Sequence, residues 1–282
     1  MTDSAPTLMR GQEVAAALEA ELRKGFDTLG FAPGLAVVRV GDDPASEIYV
    51  NHKIRACERL GFYSEAHHLP ASSTQSEVQQ KLEALNADSR IHGILLQLPL
   101  PQHLDEKPLL SVIDPAKDVD GFHPINGGRL LAGQPHLLPC TPAGIMEILR
   151  YYDVQLEGLR AVVIGRSNIV GKPMALLLLQ ANASVSVLHS RTPDLSAYTR
   201  EADLIVVAVG KQKVLTAEMV KPGVVVVDVG MNRLEGRKVT GDVDFDSVAP
   251  RCRLITPVPG GVGPMTIAML LKNTLLAAQS YT

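Results

Sequence analysis

The chain has little cysteine, no large excess of charge of either sign and no long apolar run. Its three cysteines, Cys57, Cys140 and Cys252, lie far apart and form no C-x-x-C pair. We therefore expect reduced, structural thiols, as in a cytosolic protein, rather than a disulfide framework. The eight histidines include no H-E-x-x-H sequence, so we also expect no metal site.

Charge and hydropathy exclude further classes of protein. The formal net charge is −3, and 20% of the residues are charged. Because there is no basic excess and no block of like charge, we expect no nucleic-acid partner. No apolar run reaches the roughly 18 residues of a membrane span, and residues 1–6 lack the basic and apolar regions of a signal peptide. We therefore expect a cytoplasmic protein with no membrane partner.

What the sequence does contain is a regular alternation of helical and strand patterns. Its 282 residues, 46% of them hydrophobic, suffice for one large or two medium domains. Periodicity in the first half predicts strands over 34–40, 63–69 and 91–98, between helices over 12–29, 45–60 and 76–86. Such alternation is typical of a parallel α/β layer. Prolines and glycines are dense over 99–142, which predicts an irregular stretch with one short helix at 104–112.

The second half opens with a predicted helix over 141–152 and continues as strands with helices between them. The strands are expected over 161–164, 184–188, 204–209, 224–229 and 254–255, a pattern typical of a doubly wound, Rossmann-type sheet. The final helix, over 265–278, follows the sheet, and we expect it to return to the first domain. The predicted fold is therefore two α/β domains, a catalytic domain over 1–139 and a nucleotide-binding domain over 140–264, with the returning helix over 265–282.

The most informative local motif is the turn that follows the strand at 161–164. It begins at Gly165, continues with Arg166 and Ser167, and reaches Gly171 at the start of an apolar helix. Glycine lets the backbone approach a phosphate closely, and a helix N-terminus attracts the anion. Arg166 and Ser167 can both bind phosphate. The spacing is not the common G-x-G-x-x-G fingerprint, and a strand-turn-helix without a ligand is the alternative.

The end of the following strand bears on the choice of cofactor. An NAD site usually has Asp or Glu there to bind the ribose hydroxyls. This chain instead has Ser190 and Arg191, whose side chains can bind the additional phosphate of NADP. We therefore predict NADP, although Asp194 close by keeps NAD possible, and a polar loop that only ends the strand is a further alternative.

Polar residues of the first domain form a second candidate site. Tyr49 and Lys53 are four residues apart on one helix and share a face. A half-buried lysine can have a lowered pKa and act as acid or base, although spacing alone favours a solvated lysine. Gln97 ends an apolar strand, where open α/β sheets bind ligands, or else caps the next turn. Asp118 and Asp120 can hold a cation, or one of them can face an amidine-like edge.

Taken together, these motifs resemble a known enzyme family, the bifunctional methylenetetrahydrofolate dehydrogenase/cyclohydrolase. The resemblance covers nearly the whole chain and depends on seven motifs in order: GDDPASEIYVNHK at 41–53, GILLQLPLP at 93–101, KDVDGFHPIN at 117–126, PCTP at 139–142, GRSNIVGKP at 165–173, DVGMN at 228–232 and TPVPGGVGPMT at 256–266. Met231 stands where the family usually has isoleucine. We expect no counterpart of the synthetase domain that some relatives append.

The resemblance implies an activity and a role for each site residue. The reaction would be NADP-dependent oxidation of 5,10-methylenetetrahydrofolate, followed by hydrolysis of the methenyl product to 10-formyltetrahydrofolate. Lys53 would be the catalytic lysine, Tyr49 would stack on the pterin, Gln97 would hydrogen-bond to Lys53 and tune it, and Asp120 would bind the pterin amine edge. The folate would lie in a cleft between the domains, bordered also by Pro259 and Gly263. The implied NADP contacts are Gly165, Arg166, Ser167, Ser190 and Met231, and the implied assembly is a homodimer paired through the nucleotide domains.

Two other functions stay open on the sequence alone. A dehydrogenase of a different small substrate would keep the nucleotide motif and need other residues in the first half. A non-catalytic NADP-sensing module would tolerate the loss of Lys53. The combination of Tyr49, Lys53, Gln97 and Asp120 argues against both.

Overall fold

The structure is a computed structural model, and it describes residues 6–26, 29–233 and 239–280. The chain divides into two compact units. The six-stranded unit holds the residues up to Ala16 together with Thr141–Thr266, and the three-stranded unit holds Ala17–Cys140 together with the residues from Ile267 onward. The domain limits derived from the sequence stay a prediction.

The elements are numbered here in chain order. The described helices are α1 Gly11–Phe26, α2 Pro44–Leu60, α3 Gln75–Ala87, α4 Glu106–Leu110, α5 Pro124–Leu131, α6 Cys140–Tyr151, α7 Gly171–Gln180, α8 Ser196–Thr199, α9 Phe245–Val248 and α10 Val262–Gln279. The described strands are β1 Thr7–Leu8, β2 Gly34–Val40, β3 Tyr63–Leu69, β4 Gly93–Leu96, β5 Arg160–Ile164, β6 Ser184–Leu188, β7 Leu204–Val207, β8 Val224–Asp228, β9 Asn232–Arg233, β10 Val239–Thr240 and β11 Cys252–Ile255. Within these described ranges, no helix combines the length and apolar character needed to cross a membrane.

The three-stranded unit is built on a parallel sheet in the order β3-β2-β4. The central strand β2 is almost wholly buried, since apolar side chains cover both of its faces. Val38 of β2, Ile94 and Leu96 of β4, and Val78 and Leu82 of α3 belong to one buried cluster. Full burial of such a side chain contributes about 1.5–3 kcal/mol.

Helix α2 carries two of the candidate site residues, and its start follows from local sequence. The Asp43 side chain accepts a hydrogen bond from the Ser46 backbone N–H at 2.7 Å. Pro44 occupies the first turn, where its missing N–H has no helical partner to lose. The helix ends before Gly61, which adopts a left-handed φ of 82°. These are the start and stop signals that the sequence contains.

The six-stranded sheet has the order β1-β11-β8-β7-β5-β6, and all its pairs are parallel. Strand β5 lies between β6 and β7, so the chain leaves it first towards one edge of the sheet and later towards the other. This reversal is a topological switch point, where open α/β sheets bind ligands at the carboxyl ends of their strands. The expected doubly wound, Rossmann-type fold is therefore confirmed.

Several elements differ from the sequence-based expectation. Helix α5 lies inside the stretch expected to be irregular, and the two-residue β1 joins the sheet beside β11. Between β6 and β7 the helix α8 has only four residues, and between β7 and β8 there is a single 3-10 turn at Ala217–Met219. Helix α1 ends at Phe26, whereas the expected helix extended to 29; residues 27 and 28 lie outside the described part of the chain.

Candidate active site

The first site centres on Lys53 of α2 and Gln97, which follows β4. The Lys53 ammonium Nζ donates to Gln97 Oε1 at 2.8 Å. Gln97 is itself fixed, because its backbone N–H donates to Val38 O at 2.8 Å and its Nε2 donates to Leu98 O at 2.7 Å. The side-chain nitrogen of Gln97 is thus turned towards Leu98 O, and its side-chain oxygen faces the lysine. Tyr49 lies one helical turn before Lys53 and, like it, is half-buried.

Asp120 is the carboxylate that acts on this lysine. Burial lowers the pKa of Lys53, while the charges of Asp120 and Cys140 oppose that shift. Burial raises the pKa of Asp120 to about 6, and Asp118 adds to the rise, while Lys53 and a hydrogen bond with Cys140 oppose it. Burial thus shifts the pKa of the ammonium down and that of the carboxyl up, which brings the two values closer together.

Two further residues belong to this site, although the sequence reasoning gave neither of them a role. Cys140 is buried, its Sγ donates to Val119 O at 3.3 Å, and burial raises the pKa of its thiol well above the ordinary value. Asn273 of α10 donates from Nδ2 to Val119 O and to Leu138 O, both at 2.8 Å. Cys140 lies in the PCTP motif, which was the available signal, whereas Asn273 lies in none of the seven motifs.

Asp118 holds the polypeptide rather than facing a ligand. Its carboxylate accepts hydrogen bonds from the backbone of Phe122 at 3.2 Å and of His123 at 2.8 Å, and from Asn126 Nδ2 at 2.9 Å. These bonds fix the start of α5 and leave Asp120 as the carboxylate beside Lys53. Among the described residues, no group of three or more His, Cys, Asp or Glu side chains is arranged to hold a metal ion.

The second site is a cavity of about 450 Å³ at the carboxyl ends of β5, β6 and β7. Four predicted cofactor residues lie in its wall; the full lining is Ile164, Gly165, Arg166, Ser167, His189, Ser190, Leu195, Ala208, Val209, Lys211 and Val214. The cavity occupies the switch point of the sheet, which is where the fold predicts a nucleotide. Two further predicted cofactor residues, Arg191 and Met231, are not part of this lining.

The glycine turn at this cavity is too tight for larger residues. Gly165 has a φ of 131°, and a Cβ there would lie 2.3 Å from Ala208 O. A Cβ on Gly171 would lie 2.2 Å from Gly165 O. The Ser167 hydroxyl accepts from the backbone N–H groups of Val170 at 3.1 Å and Gly171 at 3.3 Å. The turn therefore presents backbone and small side chains to the cavity at the start of α7.

The segment after β6 exposes Ser190 and Arg191 at the tip of a closed turn. The Thr192 hydroxyl accepts from the His189 backbone at 3.0 Å, and His189 Nδ1 accepts from the Arg191 backbone at 3.1 Å. Asp194 instead bonds to the first residue of α8, because its Oδ1 accepts from Ser196 N at 2.8 Å and from Ser196 Oγ at 2.7 Å. The acid that kept NAD possible thus already accepts two hydrogen bonds from Ser196, which favours a phosphate at this tip.

Pro259 lies in the loop between β11 and α10, and Gly263 lies in the first turn of α10; both are exposed. The Val258–Pro259 peptide bond is cis. A Cβ on Gly263 would lie 3.9 Å from Met231 Cε. Gly263, expected to border the folate, and Met231, expected to touch the cofactor, are therefore neighbours within the six-stranded unit.

The fold and its two sites define a dinucleotide-binding α/β protein with a separate lysine-centred site. More narrowly, the chain belongs to the tetrahydrofolate dehydrogenase/cyclohydrolase family. The family's catalytic domain matches residues 9–120, and its NAD(P)-binding domain matches residues 139–282. The family resemblance predicted from the seven motifs is confirmed.

Individual relatives are similar over almost their full length. The Bifunctional protein FolD of Burkholderia thailandensis is 55% identical over 276 residues, which cover 97% of each chain. The crystal structure of FolD, a methylenetetrahydrofolate dehydrogenase/cyclohydrolase, from Campylobacter jejuni has a TM-score of 0.96 at 52% identity, covering 99% of this chain and 100% of that one. The Trypanosoma brucei enzyme, solved with NADP cofactor and an inhibitor, has a TM-score of 0.94 at 38% identity, covering 99% of both chains.

Proposed function

We propose that this protein oxidises 5,10-methylenetetrahydrofolate to 5,10-methenyltetrahydrofolate with NADP and then hydrolyses the product to 10-formyltetrahydrofolate, with Lys53 as the general acid/base. The observation that carries the proposal is the hydrogen bond from Lys53 Nζ to Gln97 Oε1 at 2.8 Å, in a site that also lowers the pKa of the lysine. Membership of the family indicates the reaction, and the Lys53–Gln97 pair supports Lys53 as the group that transfers protons.

The oxidation transfers a hydride from the one-carbon bridge to the nicotinamide ring of NADP. The product is a methenyl cation, which is stabilised by the two flanking nitrogens. Because no proton leaves the bridge separately, this step depends on alignment of the two rings rather than on a base.

The hydrolysis needs proton transfer in both directions. Neutral Lys53 accepts a proton as water attacks the methenyl carbon, and the resulting ammonium returns a proton to the nitrogen that leaves when the ring opens. The remaining hydroxyl proton is released to solvent as the formyl C=O forms. The positive charge of the methenyl substrate disfavours a second cation beside it and so promotes the neutral lysine. Gln97 Oε1 holds Nζ in one place through the sequence of steps.

The remaining residues bind the reactants in this proposal. Tyr49 stacks on the pterin ring, and the Asp120 carboxylate accepts hydrogen bonds from the pterin amine edge. Pro259, in the loop before α10, and Gly263, in the first turn of α10, border the folate. The NADP phosphates and ribose are bound by Gly165, Arg166, Ser167, Ser190 and Arg191, and Met231 contacts the cofactor through its backbone and apolar side chain.

Assembly into a homodimer through the nucleotide domains belongs to the same proposal. It is supported by β6, which lies at one end of the six-stranded sheet and exposes Val187 by 39%. Leu179, at the end of α7, is 58% exposed. An unpaired parallel edge with apolar side chains favours pairing with another chain. Sedimentation velocity of the purified protein should give twice the monomer mass; a monomer at micromolar concentration would contradict it.

A single spectrophotometric experiment tests the enzymatic proposal against its rivals. The purified protein is given methylenetetrahydrofolate with NADP or with NAD, and methenyl formation is followed until the product is hydrolysed. We expect both steps, with a higher kcat/KM for NADP. Equal values or a preference for NAD would refute the cofactor assignment. Turnover of another substrate alone, or NADP binding without turnover, would favour the two rival functions.

A further inference from the structure

The loop over 209–214, which follows β7, is part of the nucleotide cavity. Val209, Lys211 and Val214 all lie in the cavity wall. A loop of this kind has no helix or strand of its own to fix its shape, so its position depends on the groups that accept its backbone hydrogen bonds.

A single buried residue outside the cavity, Asp242, accepts hydrogen bonds from both ends of this loop. Its Oδ2 accepts from the backbone N–H groups of Val209 at 2.7 Å and Gly210 at 2.9 Å. Its main-chain oxygen accepts from the N–H of Val214 at 2.7 Å. Asp242 is 0% exposed, so water cannot replace these bonds if they are lost.

Asp242 is itself held by the segment that carries Met231. Its Oδ1 accepts from Asn232 Nδ2 at 2.8 Å, and its backbone N–H donates to Asp228 Oδ1 at 2.9 Å. The approach is so close that a Cβ on Gly230 would lie 2.2 Å from Asp242 Oδ1. The carboxylate and main chain of this one residue therefore join the 209–214 loop to the end of β8 and to β9.

We propose that Asp242 is a positioning residue for NADP, which holds the 209–214 loop and the Met231 segment in the arrangement that binds the cofactor. The inference extends the proposed nucleotide site and depends on it. Asp242 does not touch the cofactor in this proposal; it acts through the main chain of the residues that do. No feature of the lysine-centred site requires it.

The substitution Asp242→Asn tests this role, because it keeps the shape of the side chain and changes only its hydrogen-bonding. If the new amide nitrogen takes the place of Oδ2, it faces the two N–H donors of Val209 and Gly210. If it takes the place of Oδ1, it faces the donor Nδ2 of Asn232. In the first orientation the amide nitrogen meets two donors and in the second it meets one, so in either case at least one of the contacts is lost.

We expect Asp242→Asn to raise the KM for NADP and the Kd for NADPH, measured by fluorescence titration, by about tenfold or more. Hydrolysis of methenyltetrahydrofolate supplied directly, without NADP, should keep its wild-type rate. Asp246→Asn is the matched control, since Asp246 is exposed and four residues away; it should change neither activity.

A KM for NADP within about twofold of wild type would overturn the proposal, and so would an equal loss of both activities, which would indicate a general structural role. If Asp242→Asn does not fold in a thermal melt, Asn232→Ser removes one of the bonds to Asp242 and leaves the carboxylate. A raised KM for NADP with unchanged hydrolysis would then support the proposal, and an unchanged KM would overturn it. A wild-type protein that does not use NADP would instead refute the nucleotide site itself.

Discussion

Replacing Lys53 by methionine separates the two reactions that we assign to this protein. Methionine keeps much of the length and apolar character of the lysine stem and removes only the group that donates to Gln97 at 2.8 Å. Helix α2 should therefore form as before. The variant lacks the proton-transfer group of the hydrolysis. The hydride transfer loses only the hydrogen bond between Lys53 and Gln97.

The expected losses differ in size for a physical reason. General acid–base catalysis contributes about 10²–10⁴-fold, which is about 2.7–5.4 kcal/mol of transition-state stabilisation. The hydrolysis should fall by at least the lower of these factors. A single lost hydrogen bond costs about 0.5–1.5 kcal/mol, so the dehydrogenase should fall only about two- to tenfold.

The variant also changes Asp120, and the assay must separate this effect. Lys53 opposes the rise in the pKa of Asp120, which is about 6 when the lysine is present. Without the lysine that pKa rises further, and Asp120 becomes partly protonated at neutral pH. Both reactions should therefore be followed at pH 7 and pH 8, after subtraction of the uncatalysed hydrolysis. Lys107→Met, at an exposed position in α4, is the matched control.

If the loss of hydrolysis persists at pH 8, Lys53 is the proton-transfer group. Recovery at pH 8 would mean that the lysine acts only by keeping Asp120 ionised. Hydrolysis near the wild-type rate at both pH values, in a variant with an unchanged circular-dichroism melt, would refute the reasoning and leave Lys53 as a residue of the helix surface.

Three further substitutions test neighbouring assignments. Arg191→Ala should lower kcat/KM for NADP by about 1.5–3 kcal/mol, as expected for a lost bond to a charged group, and leave NAD unchanged; a similar loss with NAD would indicate a structural role. Asp120→Ala should impair both reactions, and unchanged kinetics in this variant would remove Asp120 from the site. In the wild type the KM for folate should rise as the pH falls below about 6, where the Asp120 carboxyl becomes protonated. Asp118→Ala should lower the free energy of unfolding in urea by about 2–4 kcal/mol, because its carboxylate accepts two backbone N–H bonds and one side-chain amide bond; a loss below about 1 kcal/mol would show that these bonds contribute little.

The fold could be predicted from the sequence wherever the signal is local. Strand β7 is the run LIVV, and β8 is four valines followed by Asp228. Apolar, largely β-branched runs of that length are typical of buried parallel strands. Helix α5 gives no such signal, because Gly127 and Gly128 lie within it and glycine disfavours helix. The helix forms because His123 Nδ1 accepts from Ile125 N at 3.1 Å and Asp118 holds the preceding turn. Both bonds span at most five residues, but histidine is not one of the residues that usually cap a helix, so the sequence pattern does not indicate them.

The candidate site could likewise be predicted only in part. The spacing of Tyr49 and Lys53 shows that they share a helix face, but not that Lys53 meets Gln97, which is 44 residues away. The family motifs supplied that relation. Cys140 lies inside a motif and was still not assigned to the site, because its thiol meets Asp120 only after the PCTP segment has folded against the turn at 117–121.

Buried polar residues outside the motifs show what further information a sequence can give. Asn273 lies in the largely apolar helix α10 and is 2% exposed. A buried side-chain amide must form hydrogen bonds, since an unsatisfied one is costly. The position of Asn273 in an apolar run therefore already indicates a long-range polar contact. The partner cannot be deduced in the same way, because Val119 O is 154 residues away and is a main-chain atom with no side-chain identity. The same holds for Asp242, whose partners are mostly backbone N–H groups. The sequence can indicate that a positioning residue of this kind is polar and buried. Only the structure shows which atoms it bonds to.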